Sequence, residues 1–261
     1  MIPYFQYNAF LIGPVTIQVW GLMVALGIVA AILCMRWLAK RYFVSFALLL
    51  DLTVWVLVSA FIFARFFHVV FYAPTYYLAN PLSIIKIWEG GASSIGGFFG
   101  ALLALWIFSK KRRLNWQQFL PYADISALSL WLGWGVGRLG CFFIHDHPGT
   151  LSNFLTTVNF PTGARHDLGL YESIVGFILF IVFALLFNYL VKKRWGLVAL
   201  WSSLSYAVAR FFLDFLRATD LPGSDTRYAN LTPAQWGMLA VVITLTSLLL
   251  FGTLKRPYQV K

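Results

Sequence analysis

Residues 119–144, FLPYADISALSLWLGWGVGRLGCFFI, form an apolar run that contains one basic residue, Arg138. A helix needs about 20 consecutive apolar residues to cross a bilayer, and this run is long enough. Similar runs occur at residues 18–36, 48–72, 92–109, 169–191, 196–216 and 233–253. The sequence therefore predicts an all-α polytopic membrane protein with about seven transmembrane helices.

The composition excludes an ordinary soluble domain. Hydrophobic residues make up 60% of the 261 residues and charged residues 11%, whereas about 25% of the residues in soluble domains are charged. The net charge of +11 would also fit a nucleic-acid-binding protein, but the basic residues are distributed between the apolar runs. We therefore predict a single integral-membrane domain over residues 1–261, without a nucleic-acid partner.

The basic residues also predict the orientation of the chain. Clusters follow the first, third, fifth and seventh runs, at Arg36 to Arg41, Lys110 to Arg113, Lys192 to Arg194 and Lys255 to Lys261. Cytoplasmic loops of membrane proteins carry an excess of Lys and Arg. The pattern predicts an N-terminus outside the cell and a C-terminus in the cytoplasm.

Three arginines lie within apolar runs, near the ends predicted to face outward: Arg65, Arg138 and Arg210. An arginine within a span costs about 2.5–3.5 kcal/mol on insertion scales and usually faces a partner or a polar cavity. Arg210, Asp214 and Arg217 have the spacing i, i+4, i+7, which places them on one helix face.

Two explanations of these arginines remain open. They could snorkel to lipid headgroups or form structural ion pairs with Asp214 and Glu172. Alternatively, they could bind an anionic ligand, for which phosphate is the natural candidate because the planar guanidinium donates to it in a bidentate manner.

Six motifs occur in a fixed order: IGPVTIQVWGLM, FARFFHVVFY, IWEGGASSIGG, GVGRLGCF leading to HDHPG, RHDLGLYE, and SYAVARFFLDFLR. Together they resemble bacterial prolipoprotein diacylglyceryl transferase across essentially the whole chain. The resemblance implies transfer of the diacylglyceryl group from phosphatidylglycerol to the lipobox cysteine thiol of a preprolipoprotein signal peptide, with release of glycerol phosphate. It also implies a site at the outer face of the bacterial cytoplasmic membrane, among membrane lipids, without a metal or cofactor.

The resemblance also assigns roles to individual residues. Arg138 and Arg210 match the arginines that hold the lipid phosphate, and Asp146 occupies a position where the family commonly has a glutamate. Asp124 resembles an acid at the inner part of its helix. Further residues match positions of the family pattern: Arg65, Arg217 and Gly149 in phosphate binding, and Asp214, Tyr206, Tyr171 and Glu172 in support.

The chain departs from the family pattern at three positions. Ile95 replaces a histidine that has been proposed as a base, Trp20 replaces a tyrosine, and Cys141 replaces an asparagine. We therefore predict His68 as a relocated base, because a histidine accepts protons near neutral pH.

Several alternatives remain open. The other histidines, His145, His147 and His166, flank the predicted outer loop. The spacing of HDH is a weak zinc signal, and no metal is predicted. The chain could also be a non-catalytic relative that binds anionic lipid, or a small carrier of a phosphorylated compound.

Overall fold

A computed structural model of the protein describes residues 1–86, 91–222 and 224–250. Within these ranges, seven long helices occupy the seven predicted runs, and one short helix follows the second. They are α1 Val19–Arg41, α2 Phe46–Phe71, α3 Pro74–Ala79, α4 Ser94–Lys111, α5 Trp116–Ile144, α6 Leu168–Lys193, α7 Leu197–Leu213 and α8 Pro233–Leu250. The prediction of a helical polytopic protein is confirmed.

Six of these helices are long and apolar enough to cross a bilayer, which makes the protein a multi-pass membrane protein. The remaining long helix, α4, is not among the six, and it ends in two charged residues, Lys110 and Lys111. The number of seven spans and the orientation of the termini therefore stay predictions.

Five short strands supplement the helices. Ala9–Ile12 (β1) and Val15–Gln18 (β2) form a hairpin before α1. Pro148–Leu151 (β3), Val158–Phe160 (β4) and Gly163–Asp167 (β5) form an antiparallel sheet in the order β3-β5-β4. Strands of three to five residues are too short for an alternating pattern to be recognised, and the sequence analysis did not predict them.

The chain divides into two compact units, residues 1–41 with 123–261, and residues 42–122. In the first unit, glycines allow close packing between helices. A Cβ atom on Gly27 of α1 would lie 2.5 Å from the carbonyl oxygen of Gly133 in α5, and one on Gly176 of α6 would lie 2.8 Å from the amide nitrogen of Gly135. The helix backbones touch at these points, as is common where small residues face each other in membrane bundles.

Asp124 has a structural contact in this unit. Its buried carboxylate accepts hydrogen bonds from the backbone N–H groups of Gly196 and Ala199, at 2.7 and 2.8 Å. These groups lie at the start of α7, where helix N–H groups have no partner within the helix. Asp124 therefore caps α7 from α5.

The second unit pairs α2 with α4. A Cβ atom on Gly96 or Gly100 would lie 2.3 or 2.5 Å from the carbonyl oxygen of Phe63 or Ser59, respectively. The Ser59 hydroxyl donates to the carbonyl oxygen of Gly100 at 2.8 Å. Gly96 and Gly100 of the motif at residues 90–100 therefore serve close packing, whereas Gly90 lies outside the described residues.

Candidate active site

Glu172, on the first turns of α6, is the centre of a buried ionic network. Its side chain is fully buried, and its two oxygens contact two arginines. Oε2 is 2.8 Å from Nη2 of Arg138, and Oε1 is 3.4 Å from Nη1 of Arg210. The carboxylate thus links an arginine of α5 to an arginine of α7, although the two arginines are distant in sequence.

Asp214, directly after α7, continues the network. Its buried carboxylate accepts from Nη1 of Arg210, from the hydroxyl of Thr232 and, at 3.0 Å, from Nε of Arg217. Arg217 also donates through Nη1 to Asp225 at 2.5 Å. Arg210, Asp214 and Arg217 therefore lie together, but not on one continuous helix: α7 ends at Leu213, and a 3₁₀ turn, Asp214–Leu216, precedes Arg217.

The described residues of this network balance in formal charge. Arg138 and Arg210 meet two buried carboxylates, Glu172 and Asp214. Arg217 is 23% exposed and pairs with a third acid, Asp225, whose side chain is 42% exposed. The case for an anionic ligand therefore rests on guanidinium donors that these pairs leave unused.

Arg138 retains donors for an anionic ligand and is the more exposed of the two arginines that Glu172 joins. Its guanidinium donates to Glu172 and, at 3.5 Å, through Nη1 to Sγ of Cys141. These contacts use one N–H group on each terminal nitrogen. The side chain is 17% exposed, compared with 8% for Arg210. Within the described residues, no atom lies within 4 Å of a Cβ built on the adjacent Gly137, so that α5 borders open space there.

Aromatic rings form one wall around these charges. The Arg138 guanidinium lies 4.7 Å from the centroid of Trp134. Tyr206 of α7 packs on Trp131 and Trp134, with centroid distances of 4.9 and 5.7 Å, and its hydroxyl donates to Glu172 at 3.4 Å. Such rings reduce the access of water and strengthen electrostatic interactions with a bound ligand.

Asp146 and His147 follow α5 and return toward its last turns. His145, with a φ of +51°, ends the helix in the left-handed conformation that reverses the chain. As a result, the sulfur of Cys141, a carboxylate oxygen of Asp146 and a ring nitrogen of His147 lie within 4.8 Å of one another. Asp146 and His147 also line a cavity of about 190 Å³, together with Arg217, Ser224 and Asp225. Asp146 thus lies near two predicted site residues, Cys141 and Arg217.

Gly149 of β3 has a packing role. Its backbone pairs with that of Arg217, and its carbonyl oxygen accepts from Nη1 of Arg165 at 3.1 Å. A Cβ atom at this position would lie 2.5 Å from the carbonyl oxygen of Leu216. The absence of a side chain allows β3 to approach the segment that carries Arg217.

Arg165 and Asp220 fasten the sheet to the segment after α7. Nη1 and Nη2 of Arg165 donate to the two carboxylate oxygens at 3.0 and 2.6 Å. The hydrogen bond from Arg165 lowers the pKa of Asp220, and the same pair raises the pKa of Arg165. This bidentate pair is well suited to hold Arg217 in position.

Tyr171 faces the sheet. Its hydroxyl is 2.7 Å from Nδ1 of His166 and 2.8 Å from the hydroxyl of Thr156. Partial burial lowers the pKa of His166. Tyr171 therefore contacts the sheet with its hydroxyl, while the adjacent Glu172 contacts the arginines.

Comparison with known proteins identifies the family of this chain. The family model of prolipoprotein diacylglyceryl transferase matches residues 7–251. The chain belongs to this family. Its relatives include phosphatidylglycerol–prolipoprotein diacylglyceryl transferases from Staphylococcus saprophyticus, 30% identical over 93% of this chain and 89% of the relative, and from Ectopseudomonas mendocina, 32% identical over 99% of both. The enzyme of that name from Bordetella parapertussis is 33% identical over 96% of this chain and 97% of the relative.

Two predicted site residues of this transferase family member lie in the second unit. Arg65 is buried, and its guanidinium donates to the carbonyl oxygens of Ser83, Ile84, Lys86 and Gly91, at 2.5–3.3 Å. His68, on the same helix, stacks on Tyr72 at 5.5 Å. Arg65 thus orders the chain after α3, and the phosphate-binding role of Arg65 and the basic role of His68 stay predictions.

Two of the three positions at which the chain departs from the family pattern are exposed. Ile95 on α4 is 56% exposed and Trp20 on α1 is 46% exposed, whereas Cys141 is buried. Trp20 lies on the helix that packs near Gly140 of α5, because a Cβ on Gly140 would lie 3.2 Å from the Cα atom of Trp20.

The transferase also contains polar contacts that the sequence analysis did not identify. Nδ1 of His145 lies 2.6 Å from Oδ2 of Asp167, and both side chains are buried. Asp167 caps α6 by accepting from the N–H of Leu170 at 2.9 Å, while burial raises the pKa of Asp167. Thr232 and Gln235 form a reciprocal capping box at the start of α8. The signals were an Asp before the run at 169–191 and the segment Thr-Pro-Ala-Gln.

Proposed function

We propose that this chain transfers the diacylglyceryl group of phosphatidylglycerol to the lipobox cysteine thiol of preprolipoprotein signal peptides, at the outer face of the bacterial cytoplasmic membrane. Membership of the family and the names of the relatives support this reaction. The observation that carries the proposal for the site is the network in which the buried carboxylates of Glu172 and Asp214 hold three arginines, with unused donors on Arg138.

In the proposed reaction, the substrate thiolate attacks the glycerol carbon that is bonded to a phosphate ester oxygen. The carbon–oxygen bond breaks, and the phosphodiester leaves as a glycerol phosphate monoester with an additional negative charge. Donors that are already positioned where such a charge develops typically contribute about 3–4 kcal/mol each. Arg138 donates to the phosphate, while Glu172 keeps Arg138 and Arg210 in place before substrate binds.

The thiol must lose its proton for this attack. The sequence predicts His68 as the base for this step. In the first unit, Asp146 and His147 offer a carboxylate and an imidazole close to Cys141, which Arg138 contacts. Both residues lie outside the helices and close to the arginine network. We propose that this pair accepts the proton of the substrate thiol.

The decisive experiment combines purified protein, phosphatidylglycerol vesicles and a lipobox peptide. We expect lipidated peptide and free glycerol phosphate in equal amounts. Arg138→Ala should reduce transfer by at least about a hundredfold, because a preorganised donor to a developing anion is lost. Arg138→Lys should restore little, because it keeps the charge and loses the planar fork.

Arg112→Lys is the matched control, because Arg112 forms an exposed pair with Asp51 and its side chain is 47% exposed. This variant should transfer normally. Normal transfer by Arg138→Ala would contradict the assignment of the site. Lipid binding without any product from the unmodified chain would favour the non-catalytic relative, and movement of a phosphorylated solute into vesicles would favour the carrier.

A further inference from the structure

Cys141, Asp146 and His147 form a cluster of three different metal-ligand types. One ligand-type atom from each lies within 4.8 Å of the other two. In a tetrahedral site with bonds of 2.0–2.3 Å, ligand atoms are about 3.5 Å apart. The cluster is therefore more open than a metal-bound site, and binding requires the side chains to move closer together.

The position of each residue allows this closure. Cys141 is buried on α5 and supplies a fixed sulfur. Asp146 and His147 lie in the segment between α5 and β3, with side chains 34% and 28% exposed, and their rotation disturbs no packed core. Nδ1 of His147 is 2.8 Å from the carbonyl oxygen of Asp146, a contact that restricts the orientation of the ring.

From this geometry we propose that the chain binds a zinc-type divalent ion through Cys141, Asp146 and His147. A thiolate, an imidazole and a carboxylate together suit Zn²⁺ and its neighbours among the transition metals, whereas Mg²⁺ and Ca²⁺ prefer sites composed of oxygen ligands. Three protein ligands leave the fourth tetrahedral position for water.

The neighbouring Arg138 does not prevent this binding. Its Nη1 is 3.5 Å from Sγ of Cys141, a contact that a metal-bound thiolate can keep. The thiolate and the Asp146 carboxylate together carry two negative charges, so that the complex with a divalent ion is formally neutral. Repulsion between the ion and the guanidinium is correspondingly small.

The test uses Co²⁺ as a spectroscopic probe for the full-length protein in detergent micelles, after removal of metals. We expect a thiolate-to-cobalt charge-transfer band and the visible bands of tetrahedral cobalt. Zn²⁺ should remove them and Mg²⁺ should not. An unmodified protein without the charge-transfer band would overturn the proposal.

Two variants locate the site. Cys141→Ser should lose the charge-transfer band, whereas Cys34→Ser, the matched variant of the other cysteine, should keep it; the opposite result would refute the assignment. Because Cys141 is buried, His147→Gln provides a second measurement on a segment outside the helices. It should weaken Co²⁺ binding about tenfold or more, and unchanged affinity would contradict the proposal.

Binding should have a consequence that rests on the proposed function. A bound ion occupies the proposed proton acceptors, so Zn²⁺ should inhibit diacylglyceryl transfer and a chelator should restore it. Metal-free protein that transfers nothing would argue against the proposed function, while the cobalt spectrum would still decide the metal site. Full transfer by protein with bound Co²⁺ would contradict the inhibitory role.

Discussion

Glu172 determines how the arginines of the first unit are held. Its buried carboxylate contacts Arg138 through one oxygen and Arg210 through the other. The two explanations of the sequence pattern, structural pairing and anion binding, are therefore compatible. Pairing fixes the guanidinium groups, and the N–H donors that pairing leaves unused are available to a ligand.

Glu172→Gln tests this arrangement at the level of one atom pair. The substitution keeps the shape of the side chain and removes its negative charge. The positive charges of Arg138 and Arg210 then lose the carboxylate that they share. We expect destabilisation of about 3 kcal/mol, in the range for a broken buried pair, visible as a lower thermal unfolding midpoint of the detergent-solubilised protein. Transfer should also decrease.

Asp51→Asn is the control for this prediction. Asp51 pairs with Arg112, and both side chains are about half exposed. Exposed pairs contribute about 0–1 kcal/mol, and the midpoint should change little. Equal effects of the two substitutions would show that Glu172 does not hold the network.

At the scale of elements, α5 is placed by small residues on both of its neighbours in the first unit. Gly133 faces Gly27 of α1, and Gly135 faces Gly176 of α6. Arg138 and Cys141 follow these contacts by one or two turns of the same helix. The close approach of the backbones therefore also sets the position of the arginine.

Gly27→Ala should disturb this packing. Its Cβ atom would lie 2.5 Å from a backbone oxygen that cannot rotate away, so α1 must shift. We expect a loss of about 1–3 kcal/mol, typical of overpacking, measured by thermal unfolding in micelles. Gly21→Ala in the same helix meets no atom within 4 Å, and alanine favours a helix over glycine by about 1 kcal/mol. A midpoint for Gly27→Ala at or above that of Gly21→Ala would exclude close packing of α1 on α5.

At the scale of the whole molecule, the bilayer takes the place of a conventional core. Large apolar side chains such as Leu33, Ile62 and Leu185 are 60–80% exposed. Exposure of so much apolar surface to water is unfavourable. In a membrane these side chains face lipid, and the charged network remains among the helices. Protein buries apolar residues such as Leu49 and Phe187 and, among the helices, the polar side chains of Asp124 and Glu172.

The orientation predicted from the basic clusters is a property of the molecule in its membrane. Leu155 lies between β3 and β4 and is 77% exposed, and Lys192 is at the other end of α6. Leu155→Cys should react with a membrane-impermeant maleimide in intact cells, whereas Lys192→Cys should react only after permeabilisation. The unmodified chain controls for Cys34 and Cys141. The opposite labelling pattern would show that the orientation is reversed.

The sequence by itself determined the positions of the helices, because the length of an apolar run and the caps at its ends are local properties. The runs at 119–144 and 169–191 correspond closely to α5 and α6. The sequence also identified Arg138 and Arg210 as costly charges that require partners, and the order of the motifs indicated the family. The five strands were not predicted because they are short and depend on pairing with distant segments.

Only the tertiary structure decided which charges meet. That Glu172 joins Arg138 to Arg210, that Asp214 joins Arg210 to Arg217 and Thr232, and that Asp124 caps α7 depends on how each helix is rotated and how closely it packs. Apolar periodicity leaves that rotation open when most of a helix faces lipid. The proximity of Cys141 to Asp146 and His147 likewise required the reversal of the chain at His145.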